Sequence, residues 1–128
     1  MVMNKLIRVL VANQPKIMRE VILATFAEQP DIEIVGEVSN ETEIQDCVNQ
    51  TLPDLLVIAL DQSGKRPLIC DTVLNAHPKL RIIAVASEQN RSICYWASLQ
   101  IQSNNIEPSE EGILSAARSK AEAAGGHS

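Results

Sequence analysis

The most apolar segment of the chain is Leu55-Leu56-Val57-Ile58-Ala59-Leu60. An unbroken apolar run of this length is typical of a strand that is buried on both faces, as in a parallel sheet covered by helices. Pro53-Asp54 precedes the run and the polar segment 61–66 follows it, so its length fits a single strand. We therefore place this strand at the centre of an α/β domain.

Further short apolar segments lie on both sides of this central strand along the chain. They are Lys5–Val11, Ile32–Val38, Leu80–Ala86 and a weak segment centred on Ile101. The first is nearly continuous in Ile, Val and Leu and therefore reads as doubly buried, whereas the second alternates apolar and polar residues as an edge strand does. The sequence thus predicts five strands.

Segments with helical periodicity separate the strands. In the first, from Pro15 to Gln29, the apolar residues recur at Ile17, Val21, Ala24 and Phe26–Ala27. The other predicted helices are one that is capped by Ser39 or Asn40 and ends near Gln50, then Pro67–Ala76, Glu88–Leu99 and a last helix capped by Ser109. Five alternations of strand and helix predict a flavodoxin-like (βα)5 three-layer sandwich, with a parallel five-stranded sheet in the order 2-1-3-4-5. We expect one domain over residues 1–120 and a flexible tail over 121–128.

Composition restricts the function of this domain. The chain has 128 residues, of which 45% are hydrophobic, and its net charge is −5, which disfavours direct binding of nucleic acid. Aromatic residues make up 2%, too few for base-stacking platforms. No apolar segment is long enough to cross a membrane. We expect a cytoplasmic protein with neither a nucleic acid nor a membrane as its partner.

The cysteines offer one functional alternative. Cys47, Cys70 and Cys94 are odd in number and widely spaced, without the spacing of a metal site. We interpret them as reduced, partly buried small residues. A thiol redox sensor that uses Cys70 or Cys94 remains the alternative.

In an open α/β sheet the functional crevice lies beyond the carboxyl ends of the strands, here between the first and third. The segments that reach it are Ala12-Asn13-Gln14, Ala59–Asp61, Ala86-Ser87 and Asn105–Glu107. None is a glycine-rich phosphate loop, so a flavin or nucleotide site is not expected. No set of acid, base and nucleophile converges there either, and we predict no catalytic residues.

Several segments resemble the receiver domain of two-component response regulators, and the resemblance extends from Lys5 to about Lys120. It is closest to receivers that precede a helix-turn-helix output domain. The segments that carry it are Ile7-Arg8-Val9-Leu10-Val11-Ala12, Arg19-Glu20, Pro30-Asp31-Ile32-Glu33-Ile34-Val35-Gly36-Glu37, Pro53-Asp54-Leu55-Leu56-Val57-Ile58, His77-Pro78-Lys79-Leu80-Arg81-Ile82-Ile83 and Pro108-Ser109-Glu110-Glu111. No single segment is diagnostic, but their order and spacing match the family.

The resemblance also implies that the phosphorylation pocket is degenerate. Receivers have two acidic Mg²⁺ ligands, an acceptor aspartate, a switch Ser or Thr, and a lysine. The corresponding residues are Asn13 and Gln14, Ala59, Ala86 with Ser87 beside it, and Glu107. Neutral amides replace poorly the carboxylates that Mg²⁺ prefers, and an alanine offers no nucleophile. Asp61, two residues after Ala59, would be a displaced acceptor, but without a metal or a lysine we expect it to cap a turn. We predict no Mg²⁺ binding.

The resemblance therefore implies a pseudo-receiver that is not an enzyme and acts by binding proteins. Receivers signal through the face of helix four, strand five and helix five, where we place Tyr95, Trp96, Leu99, Ile101 and Ile113. Trp96 would be either an exposed anchor or a residue that packs helix four onto the sheet. The first helix, with Lys16, Arg19 and Glu20, is the family's kinase-docking side or a solvated face.

The partners implied are an output domain, a kinase or another regulator, with a homodimer through the same face by analogy. Three other functions stay open. They are the redox sensor, a small-ligand binder in the emptied crevice, and a conventional phosphorylated regulator.

Overall fold

One mixed β-sheet organises the protein. The computed structural model describes residues 6–13, 16–60, 65–86, 91–98 and 101–118. The strands are β1 (Ile7–Ala12), β2 (Ile32–Glu37), β3 (Leu55–Ala59), β4 (Arg81–Ala86), β5 (Arg91–Ala97) and β6 (Ile101–Ile106). They lie in the order β2-β1-β3-β4-β5-β6. The first four are parallel, whereas β5 and β6 are antiparallel to their neighbours.

Helices cover both faces of the sheet. They are α1 (Lys16–Ala27), α2 (Ile44–Thr51), α3 (Leu68–Ala76) and α4 (Glu110–Arg118), and a short 3-10 helix, Glu41–Glu43, precedes α2. The core on one face joins α2 and α3 to the sheet, and the core on the other face joins α1 and α4 to it. The flavodoxin-like three-layer fold is confirmed, and β1 to β5 lie in the predicted order 2-1-3-4-5. The prediction of five parallel strands is wrong: four strands are parallel, and an unpredicted strand, β5, lies between β4 and the strand at Ile101.

The predicted helix Glu88–Leu99 is wrong, because Arg91–Ala97 forms β5. Five successive residues of this segment, 92–96, are buried, which a helix lying on a sheet cannot achieve but an interior strand can. Their side chains alternate between the two faces, with Tyr95 in one core and Trp96 in the other. The weak strand at Ile101 exists, but as antiparallel β6 at the sheet edge.

The first helix is confirmed, but its buried face is not the one that the apolar period indicated. Among the residues Ile17, Val21, Ala24, Phe26 and Ala27, only Phe26 is buried. The buried residues of α1 are instead Arg19, Ile22, Thr25 and Phe26. The face of α1 that packs on the sheet therefore includes the polar residue Arg19. The apolar residues Ile17 and Val21 stay exposed.

The start of α4 is held closely against the turn that follows β6. Gly112 donates its backbone N–H to the Ser109 hydroxyl at 3.0 Å, so Ser109 caps the helix as predicted. At the other end, Arg118 forms a salt bridge of 2.8 Å with Asp31, before β2. This hydrogen-bonded contact lowers the pKa of the Asp31 carboxyl. The predicted flexible tail, 121–128, lies outside the described residues.

Candidate functional site

The crevice lies where the sequence predicts it, at the carboxyl ends of β1 and β3. In the sheet register Ala12 is opposite Ile58 and Ala59 is opposite Val85, so the ends of β1, β3 and β4 lie side by side. This is the point at which the strand order reverses, and open α/β sheets bind their ligands there. The side chains at these ends decide what the crevice can do.

Asn13 connects β1 to β3 across the crevice. Its side chain is fully buried, and its Nδ2 donates a hydrogen bond of 2.9 Å to the carbonyl oxygen of Ile58. Its Oδ1 is buried and has no hydrogen-bond partner. A carboxylate at this position could not donate to a carbonyl oxygen. The amide therefore supports a structural link that the acidic residue of a receiver could not form.

Arg19 brings a positive charge to the same place. Its guanidinium is buried, forms a salt bridge of 2.7 Å with Glu37, and donates from Nη1 to the Asn13 carbonyl oxygen at 3.1 Å. The interpretation of Arg19 as part of a solvated face is therefore wrong. The guanidinium is thus neutralised by Glu37 and holds the backbone at Asn13 in place.

The burial of Arg19 had a signal in the sequence. Arg19, Ile22 and Phe26 follow one another at helical spacing, which places the arginine on the same stripe as the buried Phe26. The apolar residues Ile17 and Val21 obscured this stripe, because they define an equally regular face. Lys16 and Glu20 are exposed as expected and lie 3.8 Å apart as an ion pair.

Ala59 is half-buried and Ala86 is buried, and each presents only a methyl group. The prediction that the turn Asn105–Glu107 completes the crevice is wrong, because this turn follows β6 and β5 separates β6 from β4. Glu107 is exposed and lies against Gly112 at the start of α4. Gln14, Asp61 and Ser87 lie outside the described residues. In the described ranges no three His, Cys, Asp or Glu side chains cluster as a metal site would require.

An open cavity of about 400 Å³ lies beside the crevice, next to the first residues of α2 and α3. Its lining consists of Ala12, Glu41, Ile44, Ile58, Ala59, Pro67, Leu68 and Ile69. These lining residues are apolar except for Glu41. Such a cavity can accept an apolar group, and none of its described lining residues is basic, as a phosphate would require.

The predicted interaction surface does not form as one accessible face. Tyr95, Trp96 and Ile113 are all buried, and Ile101 is half-buried. Tyr95 belongs to the core under α2 and α3, whereas Trp96 and Ile113 belong to the core under α1 and α4. The exposed-anchor interpretation of Trp96 is therefore wrong: it packs in the core, from a strand and not from a helix. Leu99 lies outside the described residues.

Two of the three cysteines are shielded from reaction. Cys70 and Cys94 are buried. Burial, with the nearby Asp71 carboxylate as a smaller cause, raises the pKa of the Cys70 thiol to about 12. Burial also raises the pKa of the Cys94 thiol. Because the thiolate is the reactive form, neither residue is suited to a redox sensor at neutral pH.

We expect a thiol reagent at pH 8 to modify Cys47 faster than Cys70 and Cys94. Cys47 is half-buried, whereas the other two thiols are buried and protonated. Timed labelling followed by peptide mass spectrometry measures the three rates. Labelling in denaturant is the control, and there the rates should converge. If Cys70 or Cys94 were modified as fast as Cys47 in the folded protein, the result would contradict this prediction and support a thiol redox sensor.

Exposed apolar side chains are found elsewhere on the surface. Ile17 and Val21 on α1 are 71% and 49% exposed, and Leu68 at the start of α3 is 85% exposed.

No helix in the described ranges is both long and apolar enough to span a bilayer.

Comparisons with known proteins agree with this architecture. The response regulator domain of CheB from Thermotoga maritima matches with a TM-score of 0.54 and 24% identity, over 65% of this chain and 62% of that chain. The signal receiver domain of NarL from Mycobacterium tuberculosis matches with a TM-score of 0.55 and 15% identity, over 65% and 68%. No protein-family model matches the sequence, and no curated protein matches it significantly. The chain thus shares the fold of receiver domains and spans under two thirds of the length of the CheB chain.

Proposed function

We propose that this chain is a receiver-like domain of two-component signalling that is not phosphorylated and acts by binding other proteins. The observation that carries the proposal is Ala59 at the end of β3, the position that the resemblance assigns to the phosphate acceptor. A methyl group cannot attack a phosphoryl donor. The proposal includes a cytoplasmic location and no enzymatic activity.

The electrostatics of the crevice support the same function. A receiver needs a divalent cation to neutralise the charge of the transferred phosphoryl group. Here the Asn13 side chain donates to the Ile58 carbonyl oxygen, and Arg19, which is paired with Glu37, donates to the Asn13 carbonyl oxygen. Both contacts favour a crevice that keeps one conformation with no metal bound.

The first test is incubation of the full chain with Mg²⁺ and a small-molecule acyl phosphate. We expect no phosphoryl adduct in the intact mass, because no acceptor stands at the end of β3. A conventional receiver domain treated in parallel is the positive control. The matched variant Ala59→Asp restores the carboxylate alone, and it too should stay unmodified because it lacks the metal site. A phosphoryl group on Asp61 of the unmodified sequence would overturn the proposal.

We also expect millimolar Mg²⁺ to leave the thermal midpoint of the protein unchanged, because ligand binding to the folded state would raise it. Differential scanning fluorimetry with and without chelator measures this. The matched variant is Asn13→Asp, which should melt at a lower temperature because its carboxylate faces the Ile58 carbonyl oxygen. An increase of several degrees with Mg²⁺ in the unmodified protein would contradict the prediction.

The partners would be signalling proteins: an output domain, a kinase or another regulator. Ile17 and Val21 form an accessible apolar pair on α1, the helix on the family's kinase-docking side. The proteins that an immobilised full chain retains should be the same before and after treatment with the phosphodonor. The double variant Ile17→Glu and Val21→Glu should lose them, and Lys16→Glu, on the same helix, is the control for a change of charge.

The cavity favours a second candidate function, a small-ligand binder. Its mostly apolar lining, with the acidic residue Glu41 among it, suits an apolar molecule with one cationic group. A thermal-shift screen of such amphiphiles tests this candidate, with Glu41→Gln as the matched variant. A stabilising compound whose effect is lost in the variant supports it, and the absence of any such compound removes it.

A further inference from the structure

The two edges of the sheet differ in how they are protected. An edge strand exposes unpaired backbone groups, and proteins usually shield such strands with charges, prolines or irregular pairing. β2, at one edge, carries Glu33 and Glu37, and its register against β1 shifts between Val9 and Leu10. β6, at the other edge, has the sequence Ile-Gln-Ser-Asn-Asn-Ile, without charge or proline. Its pairing with β5 is regular over all six residues.

The outer side of β6 is also accessible. Among the described residues no strand pairs with it there. Ser103, Asn104 and Asn105 are consecutive and exposed. Because neighbouring residues of a strand point to opposite faces, their exposure shows that no described helix covers either face at the middle of β6. The edge therefore offers a regular and uncharged template for another strand.

We propose that β6 pairs with β6 of a second copy of this chain, antiparallel and across a two-fold axis, to form one continuous sheet of twelve strands. The proposal does not rest on the proposed function, since it involves neither the crevice nor phosphorylation. It follows from the replacement of the expected fourth helix by β5, which builds the hairpin that ends in β6.

The sequence of β6 is compatible with itself under this symmetry. In an antiparallel pair, residues that lie opposite each other point to the same face of the sheet. The two-fold axis between the two copies must therefore pass through a position where one residue lies opposite the same residue of the second copy. With Ser103 at the axis, Gln102 faces Asn104 of the second copy. With Asn104 at the axis, Ser103 faces Asn105 of the second copy. Neither register opposes two charges, and both place polar, hydrogen-bonding side chains at the centre.

A second copy fits this edge better than the alternatives on the surface of the molecule. Pairing of β6 with β2 of another copy would be head to tail and would continue without closing. It would also place β6 beside β2, which carries Glu33 and Glu37 and pairs irregularly with β1. The two-fold pairing closes after two copies and leaves both β2 edges outside.

The test is the molar mass of the full chain by light scattering or sedimentation over a range of concentrations. The mass should rise from that of the 14.0 kDa monomer toward that of the dimer. The double variant Ser103→Lys and Asn104→Lys places like charges opposite each other in either register. It should weaken dimerisation about tenfold or more. The control Glu33→Lys makes the same change in net charge at the β2 edge and should dimerise normally.

Hydrogen exchange gives a second measurement that needs no variant. The amides of β6 should exchange more slowly as the concentration of the unmodified protein rises, while those of β2 should not change. A chain that stays monomeric at millimolar concentration overturns the proposal and leaves the edge to an extended segment of another protein. A dimer that the two lysines do not weaken, or that Glu33→Lys weakens equally, overturns it as well. If the lysine variant does not fold, the exchange of the β6 amides decides.

Discussion

Trp96→Ala is expected to lower the free energy of unfolding by about 3–5 kcal/mol, the cost of removing a large aromatic side chain from a core. Trp96 is 9% exposed and packs in the core under α1 and α4. It is also the sole tryptophan of the chain, so its fluorescence reports unfolding of the unmodified protein. Chemical denaturation followed by circular dichroism measures the loss in the variant.

The control for this experiment is Ser98→Ala, just after β5. Ser98 is exposed, and surface substitutions of this kind change stability by about 0.5 kcal/mol or less. If Trp96→Ala instead kept its stability and lost a binding partner, Trp96 would be an accessible anchor and the burial found here would be contradicted.

Gly112→Ala is expected to destabilise the protein by about 1–3 kcal/mol, the usual cost of overpacking. In an exposed helix interior the same change usually stabilises by about 1 kcal/mol. The sign reverses because an added Cβ would overlap the carbonyl oxygen of Glu107. It would also lie 2.7 Å from the Glu107 Cβ and 2.8 Å from its carbonyl carbon. Backbone atoms cannot give way as a flexible side chain can.

Thermal and chemical denaturation of Gly112→Ala and of Ser115→Ala measure this difference. Ser115 is exposed on the same helix, so its replacement should leave stability unchanged or raise it slightly. If both variants were stabilised alike, the start of α4 would not be held against the turn at Glu107.

Much of the fold was predictable, because in several segments the apolar pattern of the sequence agrees with the burial in the structure. β1, β3 and β4 are almost wholly apolar and pair in parallel, and each was predicted to within a few residues. The predicted cap of α4 at Ser109 was correct for the same reason, since a hydroxyl before a helical stripe has one dominant use.

The segment around Trp96 was not predictable in this way. Ile93, Trp96 and Ala97 recur at a spacing that fits a helix, and the resemblance to receivers favoured a helix there. The contrary signal was the cluster of Ile93, Tyr95 and Trp96, since β-branched and aromatic residues prefer a strand once both of its faces are covered. That coverage depends on tertiary packing, which periodicity alone does not report.

The topological switch point was predicted correctly from the strand order, but the contacts made there were not. The identities of Asn13 and Ala59 can be read directly from the sequence. What Asn13 does was not visible, because its partners Ile58 and Arg19 come from other elements. Arg19 itself was misassigned, since a lone arginine in a helix is usually solvated and its burial depends on Glu37 at the end of β2.

The hairpin of β5 and β6 also affects how the chain acquires its structure. β4, β5 and β6 follow one another along the chain, separated only by residues 87–90 and 98–100, so their pairing closes short loops. The parallel pairing of β1 with β2 and β3 instead requires the closure of long connections, each of which contains at least one helix. Contacts between near neighbours form faster than distant ones. This half of the sheet can therefore nucleate folding, a role that a surface helix in its place could not fill.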